Sequence, residues 1–133
     1  MNFLQWTEDL SVDNIVIDNQ HRELFDLTNN LIHECKDDKC SPLIGETLSD
    51  LLKYAKKHFK EEEKLLREIK YPKLEEHEKM HIDFIFKIAM FCKDVLNGKS
   101  SVVEEMIEYL TDWLINHTSS ADLDFKNYIN QVA

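Results

Sequence analysis

The sequence is poor in the residues that form tight turns or interrupt helices. Its 133 residues include only two glycines, Gly45 and Gly98, and two prolines, Pro42 and Pro72. A β-rich protein with many tight turns would carry more of both. The composition therefore favours long helices over short strands.

Long apolar runs and basic segments are also missing. No apolar run approaches the ~20 residues that a membrane-spanning helix needs. The N-terminal segment MNFLQWTEDL lacks the basic region and apolar stretch of a secretory signal. The formal net charge is −10, so nucleic acid and anionic membrane surfaces would repel the chain. We therefore predict a cytoplasmic protein with neither nucleic acid nor a membrane as a partner; the sequence names no protein partner.

Cysteine is scarce, at three residues: Cys35, Cys40 and Cys92. The number is odd, and the spacings match no metal-binding motif. Reduced thiols are the simplest prediction for a cytoplasmic protein, with a Cys35–Cys40 disulfide as the alternative.

Apolar residues at helical spacing divide the chain into an N-terminal arm and four helices, in one domain spanning residues 1–133. Residues 1–17 hold apolar side chains without a clear helical period, and we expect them to pack as an extended arm. The predicted helices cover about residues 18–37, 42–69, 72–97 and 102–131. Short connections between four amphipathic helices favour an all-α, antiparallel up-down-up-down four-helix bundle.

Histidines occupy unusual positions in this pattern. Five of the six lie on apolar helix stripes, whereas His33 lies in a more polar turn and is predicted to be exposed. A buried imidazole needs a partner, because leaving its polar atoms unpaired in the core costs free energy. These five histidines and two accompanying carboxylates are the candidate metal ligands: His21, His58, Glu62, His77, His81, His117 and Asp122.

Two pairs of these candidates are one helical turn apart. His58 and Glu62 share a face of the second helix, and His77 and His81 share a face of the third. Taken alone, each pair is equally consistent with a charged surface. Together with His21 and His117, however, they bring at least one candidate from every helix to a core-facing position, which is typical of metal sites inside bundles.

Asp122 fits the helical pattern less well than the other candidates. It follows His117 by five residues, and five residues of a regular α-helix turn through about 140° beyond a full turn, so the two side chains would not share a face. Either Asp122 is a surface residue, or the helix is loosened near residues 118–122. Hydroxyl side chains at Thr118, Ser119 and Ser120 could permit a π-bulge or a break there.

The ligand types limit the choice of metal without settling it. Five imidazoles and two carboxylates exceed the four ligands that zinc usually takes. They suit two adjacent ions with bridging carboxylates, but imidazole binds iron, copper, zinc and nickel. A ferritin-like centre would need two Glu-x-x-His motifs, and only residues 78–81, from Glu78 to His81, fit that motif.

Taken together, the motifs resemble those of the hemerythrin family, and specifically single-domain bacterial hemerythrins. The resemblance covers essentially the whole chain. It depends on the combined His-x₃-Glu, His-x₃-His and His-x₄-Asp pattern in this order, with its neighbouring residues. The matching segments are Trp6, residues 17–21, residues 58–63, Tyr71-Pro72 with His77 and His81, and residues 113–117 with Asp122.

The resemblance implies a non-haem di-iron centre that binds O₂ reversibly. His77, His81 and His117 would ligate one iron, and His21 and His58 would ligate the other. Glu62 and Asp122 would bridge the two ions together with an oxo or hydroxo group. The second iron would then be five-coordinate, with a position open for O₂.

The same resemblance suggests residues around the O₂ position. Leu114, one turn before His117, matches a residue that lines the family's O₂ pocket. Phe25, Phe59 and Trp113 lie near other ligands and would help to line the pocket, although ordinary core packing is the alternative for each. Thr118 and Phe125 depart from residues common in the family, which leaves the pocket polarity open without removing a ligand.

The predicted function is O₂ binding for storage, delivery or scavenging, and not catalysis. One alternative is a module that senses O₂, redox state or NO and signals to a partner. Another is a di-iron peroxidase or oxidase, for which the sequence supplies no substrate pocket beyond the small O₂ site. A bundle without metal is disfavoured by the match of all seven ligands.

Overall fold

The computed structural model describes residues 3–36, 39–40, 44–98 and 102–132. The helices of the bundle are α1 (Ile15–Glu34), α2 (Ile44–Glu68), α3 (Leu74–Leu96) and α4 (Val103–Asn116). A π-helical turn (His117–Ala121) joins α4 to α5 (Asp122–Val132). Helix α1 packs against α2 and α4, and α3 packs against the same two helices. The predicted antiparallel four-helix bundle is therefore confirmed.

The N-terminal arm is shorter and less extended than the sequence predicts. It contains a 3₁₀ turn at Glu8–Leu10, and α1 begins at Ile15 rather than near residue 18. The earlier start follows from a cap, because the Asn14 side chain accepts a hydrogen bond from the backbone N–H of Ile17 at 3.1 Å.

Two polar side chains of α1 hold this arm against the bundle. Asn29 exchanges two hydrogen bonds with the backbone of Leu4, at 2.7 and 2.9 Å. Asp18 accepts hydrogen bonds from the Ser11 hydroxyl at 2.6 Å and the Val12 backbone N–H at 2.9 Å. Asp18 is nearly buried, so its charge is balanced by these donors near the start of α1.

Helix α1 ends at Glu34, before the predicted end at residue 37. A short antiparallel pair follows, β1 (Cys35–Lys36) with β2 (Lys39–Cys40), in which Cys35 lies opposite Cys40. Cys35 is disulfide-bonded, so the prediction of a reduced thiol is wrong at this residue. The side chain of Cys40 lies outside the described residues, as does the predicted alternative of a Cys35–Cys40 bond. Cys92 is free.

The hydrophobic core is divided into two clusters along the bundle. The larger cluster includes Leu24 of α1, Phe59 of α2, Phe84 of α3 and Leu114 of α4. The smaller one is built from Val12, Ile17, Leu66, Tyr71 and Phe125. Six of the seven predicted ligands lie in sequence between residues of the two clusters, and the seventh, His58, directly precedes Phe59 of the larger cluster. The polar layer therefore has apolar residues on both sides.

Among the described residues, none of the helices has the length and apolar character to cross a bilayer.

Candidate metal centre

The structure brings all seven predicted ligands together inside the bundle. Their exposed fractions range from 0% for Glu62 and Asp122 to 7% for His117. Four chain segments supply them: α1 gives His21, α2 gives His58 and Glu62, α3 gives His77 and His81, and the π turn and the start of α5 give His117 and Asp122. His33, in contrast, is exposed as expected.

Glu62 lies between two groups of imidazoles and presents one oxygen to each. Its Oε1 is 2.6 Å from His77 Nε2, 3.2 Å from His81 Nε2 and 3.9 Å from His117 Nε2. Its Oε2 is 3.1 Å from His58 Nε2 and 3.3 Å from His21 Nε2. We call these groups the three-histidine half (His77, His81 and His117) and the two-histidine half (His21 and His58). Donor atoms of each half lie close enough together to hold one metal ion with Glu62.

Asp122 also has one oxygen near each of the two halves. Its Oδ1 is 3.1 Å from the Nε2 atoms of both His77 and His117, and its Oδ2 is 3.1 Å from His21 Nε2. Asp122 is therefore not a surface residue, and the alternative of a locally loosened helix is correct.

The π turn is what places Asp122 at the centre. The backbone N–H of Asp122 donates to the carbonyl of His117, five residues earlier, so this turn holds one more residue than an α-helical turn. The Thr118 hydroxyl donates to the Leu114 carbonyl at 2.7 Å, and such side-chain bonds compete with the regular helical pattern. Residues five apart consequently lie on the same face of this turn. The side chains of His117 and Asp122 therefore both point into the centre, which a regular α-helix would not allow.

The donor atoms are positioned to bind cations rather than to form hydrogen bonds with one another. Both carboxylate oxygens of Asp122 are buried, and within the described part of the chain the imidazole nitrogens 3.1 Å away are the only polar groups that face them. His81 Nε2 and His117 Nε2 are 3.2 Å apart. Imidazole binds ions such as zinc at about 2.0–2.1 Å, so adjacent donors on one ion at a right angle lie about 3.0 Å apart. The residues present therefore fit metal ions.

Electrostatics also favours positive charge here. Burial lowers the pKa of His21, but attraction to Asp122 and Glu62 and hydrogen bonding to them outweigh it and raise the pKa to about 10. The balance is similar at His77, where burial is outweighed by hydrogen bonds to Asp122 and Glu62 and the pKa rises to about 9. In contrast, burial lowers the pKa of His58 despite the nearby Glu62. In the metal-free protein, protons on His21 and His77 would therefore neutralise part of the negative charge of the two carboxylates.

Two histidines are oriented by partners that the sequence analysis did not identify. His58 Nδ1 is 2.6 Å from the amide oxygen of Gln20, whose NH₂ group donates to Glu61. His81 Nδ1 is 2.7 Å from Glu63 Oε2. If each Nδ1 carries the proton, each Nε2 directs its lone pair into the centre. In the sequence, Gln20 is next to His21 and Glu63 is next to Glu62. This adjacency predicts a contact with a histidine only weakly, because neighbouring residues on a helix point about 100° apart.

Aromatic rings cover the three-histidine half. Phe59 stacks on His81 with ring centroids 3.8 Å apart and planes 5° apart, and Trp113 stacks on His117 at 4.3 Å and 11°. The predicted pocket residues Phe59 and Trp113 thus contact this half. Phe25 and Leu114 are buried in the larger core cluster, at 2% and 1% exposure.

Comparisons with known proteins identify similar sequences and a similar fold. The family profile described as "Hemerythrin HHE cation binding domain" matches residues 14–129. A bacteriohemerythrin of Stenotrophomonas maltophilia (strain R551-3) is 31% identical over 100% of this chain and 88% of its own length. A myohemerythrin of Theromyzon tessulatum is 33% identical over 92% of this chain and 90% of its own length. A crystal structure of wild-type hemerythrin superimposes with a TM-score of 0.80 at 26% identity, covering 96% of this chain and 95% of that one.

Proposed function

Because this chain belongs to the hemerythrin family, we propose that it binds O₂ reversibly at a non-haem di-iron centre, to store or deliver O₂ in the cytoplasm. Two ferrous ions, when bound, supply the electrons that O₂ accepts and returns. The protein's own residues hold the two ions, orient their ligands and keep water away.

We assign one ion to each half of the centre. His77, His81 and His117 would hold the first, and His21 and His58 the second. Glu62 and Asp122 would bridge the ions together with an oxo or hydroxo group. The assignment is supported by the contacts of each carboxylate, which offers one oxygen to each half.

The observation that carries the proposal is the unequal number of imidazoles in the two halves. The bridging carboxylates serve both halves alike, so the two-histidine half has one protein donor fewer than the three-histidine half. A position is thereby left for an external ligand. It lies in the interior, because His21 and His58 are each only 1% exposed. A sealed position of this kind suits a diatomic molecule better than an organic substrate, and for this reason we propose a carrier rather than an enzyme.

Apolar residues around this position would exclude water. Leu114, which is 1% exposed and one turn from His117, is our candidate for the O₂ pocket. Phe25 belongs to the same core cluster as Leu114. A dry pocket matters because water and protons promote loss of the bound oxygen in a reduced form, which leaves the iron ferric.

The test is to cycle the iron-loaded protein between nitrogen and air while metal content and optical spectra are recorded. We expect two irons per chain, a nearly colourless deoxygenated form, and visible bands that appear in air and disappear again under nitrogen. The exposed-site variant His33→Gln is the control and should cycle identically. One zinc ion without visible bands, or irreversible oxidation during substrate turnover, would contradict the proposal.

A further inference from the structure

A solvent-open groove of about 460 Å³ lies between α2 and α3 and reaches the three-histidine half. Its volume falls within the range of about 300–1,000 Å³ that small-molecule sites occupy. Among its lining residues are Phe59, His81, Ile82 and Phe86, with Lys56 and Lys60 from α2.

The α3 wall of the groove exposes large apolar side chains. Ile82 and Phe86 are one helical turn apart, and each is 66% exposed. Single exposed apolar residues are ordinary on protein surfaces, but an adjacent pair beside an apolar cavity offers a binding surface. The body of a ligand in this groove should therefore be apolar.

The α2 wall supplies positive charge. Lys56 and Lys60 are also one turn apart and are exposed. Within the described part of the chain, neither forms an ion pair. Glu63 also lines the groove, but its carboxylate lies 2.7 Å from His81 Nδ1, so the two lysines are the charges left for a ligand. In a chain of net charge −10, two such cations beside an apolar groove are complementary to an anionic group attached to an apolar body.

The inner end of the groove contacts the metal centre. His81 lines the groove, and its Nε2 lies 3.2 Å from Glu62 Oε1 inside the centre. Phe59, which stacks on His81, lines it as well. A molecule in the groove would thus be one imidazole ring away from the three-histidine half, which is a short path for electrons.

We propose that this groove binds a small aromatic anion that carries electrons, and specifically a reduced flavin mononucleotide. The flavin ring would pack on Ile82 and Phe86, and its phosphate would lie between Lys56 and Lys60. Reduced flavin releases two electrons and two protons as it is oxidised. The two electrons would return two ferric ions to the ferrous state through His81, and both protons would pass to solvent. The electron transfer rests on the proposed di-iron centre, whereas binding in the groove does not.

Binding is tested by calorimetric titration of the iron-loaded ferric protein with oxidised flavin mononucleotide. We expect one molecule per chain, and about tenfold weaker binding in the double variant Lys56→Gln/Lys60→Gln, since two exposed ion pairs are lost. The matched control is Lys57→Gln/Lys64→Gln, which removes the same charge from exposed α2 positions outside the groove and should bind like the wild type. Riboflavin, which lacks the phosphate, should bind the wild type and the Lys56/Lys60 variant equally.

A second variant tests the apolar wall. Phe86→Gln alters an exposed side chain, so the fold should tolerate it, and it should weaken both flavin mononucleotide and riboflavin. Dissociation constants above about 1 mM for the wild type, or equal losses in the two lysine variants, would overturn the proposal. Lysine-dependent binding of decanoate without binding of the flavin would overturn it too, because the groove would then hold a simple amphiphile.

Electron transfer is tested by anaerobic stopped-flow mixing of reduced flavin mononucleotide with the ferric protein. At low flavin concentration, the Lys56→Gln/Lys60→Gln variant should be reduced about tenfold more slowly than the wild type, while reduction by dithionite is unchanged. Equal rates in the two proteins would contradict the assigned route. A failure of the di-iron proposal would be recognised separately, since the visible ferric bands would be missing before any flavin is added.

Discussion

The two halves of the metal centre differ in their contact with the rest of the protein. The three-histidine half lies under aromatic rings, with Phe59 on His81 and Trp113 on His117. A surface groove reaches His81, and another reaches His117. In the two-histidine half, His21 and His58 are each 1% exposed. The half with more protein donors is thus closer to solvent than the half in which we propose the open position.

This difference suggests a division of roles within one site. The three-histidine half is held by more donors and covered by stacked rings, so it is suited to retaining an ion and passing electrons. The two-histidine half, in which we propose a free position, lies in a sealed interior, which is suited to a small neutral ligand. The partners of the outer imidazole nitrogens differ accordingly, since His81 faces the carboxylate of Glu63 and His58 the amide of Gln20.

The largest effect is expected from a change that both halves share. Glu62→Gln removes the charge of the carboxylate that we propose as a bridge and whose oxygens lie near all five imidazoles, so we expect both ions to be lost. Affinity should fall more than about 100-fold, because even residues that only orient ligands account for about 10–100-fold. Iron per chain after gel filtration measures this. Glu61→Gln, next to it on α2, should retain two ions; retention by Glu62→Gln would mean that Glu62 does not bridge.

The next effect concerns the protons that the histidines of the two halves lose when iron binds. His21, with a pKa of about 10, and His77, with a pKa of about 9, represent one half each and are protonated near neutral pH in the metal-free protein. Iron requires neutral imidazoles, so binding of two ions at about pH 8 should release about two protons from these two histidines. The affinity for each ion should rise about tenfold per pH unit, and the combined affinity for both ions about 100-fold. Indicator-dye titration with ferrous ion measures the release. Binding without proton release would contradict these pKa values.

The same shifts set the direction of a stability change. Both histidine pKa values are raised above the unfolded value of about 6.5, so their stabilisation is complete below that pH and is lost as the pH rises through about 9 to 10. The metal-free protein should therefore melt at lower temperature as the pH rises over this range, and the iron-loaded protein should change less.

Much of the centre could be predicted because its geometry is local to single helices. The pairs His58–Glu62 and His77–His81 follow directly from the helical repeat. The irregularity at residues 118–122 could also be anticipated, since Thr118 has a hydroxyl that can bond the preceding turn. Which of two arrangements Asp122 adopts could not be decided, because that depends on the fit of the whole turn against α1 and α3.

Contacts between side chains of different helices could not be predicted from the sequence pattern. Gln20 and Glu63 are 38 and 18 residues from the histidines that they contact, and their rotation about α1 and α2 depends on how the bundle packs. The start of α1 was missed because the Asn14 cap lies within a stretch that has no helical period. The positions of the rings of Phe59 and Trp113 likewise depend on packing between helices.

A third effect should distinguish the two halves by changing the carboxylate that contacts the outer nitrogen of His81. Glu63→Gln replaces the carboxylate behind His81 with a neutral amide, so His81 becomes a weaker electron donor and favours ferric iron less. We expect about tenfold weaker metal binding and a higher reduction potential, measured by chelator competition and redox titration. In the matched variant Glu61→Gln, the altered carboxylate contacts Gln20 and not a histidine, so smaller changes are expected. Equal changes in both variants would show that the carboxylate at His81 has no special role.

The smallest effect should come from an apolar pocket residue that is not a ligand. Leu114→Asn introduces a polar side chain into the pocket that we assign to O₂, which would admit water and protons. The oxygenated protein should then oxidise to the ferric form a few-fold faster, as followed by stopped-flow absorbance. Leu114→Met keeps the pocket apolar and similar in volume, so it should oxidise at nearly the wild-type rate. If the asparagine variant binds two irons and oxidises no faster than the methionine variant, Leu114 does not protect the O₂ position, and the dry pocket must be formed by other residues of the core.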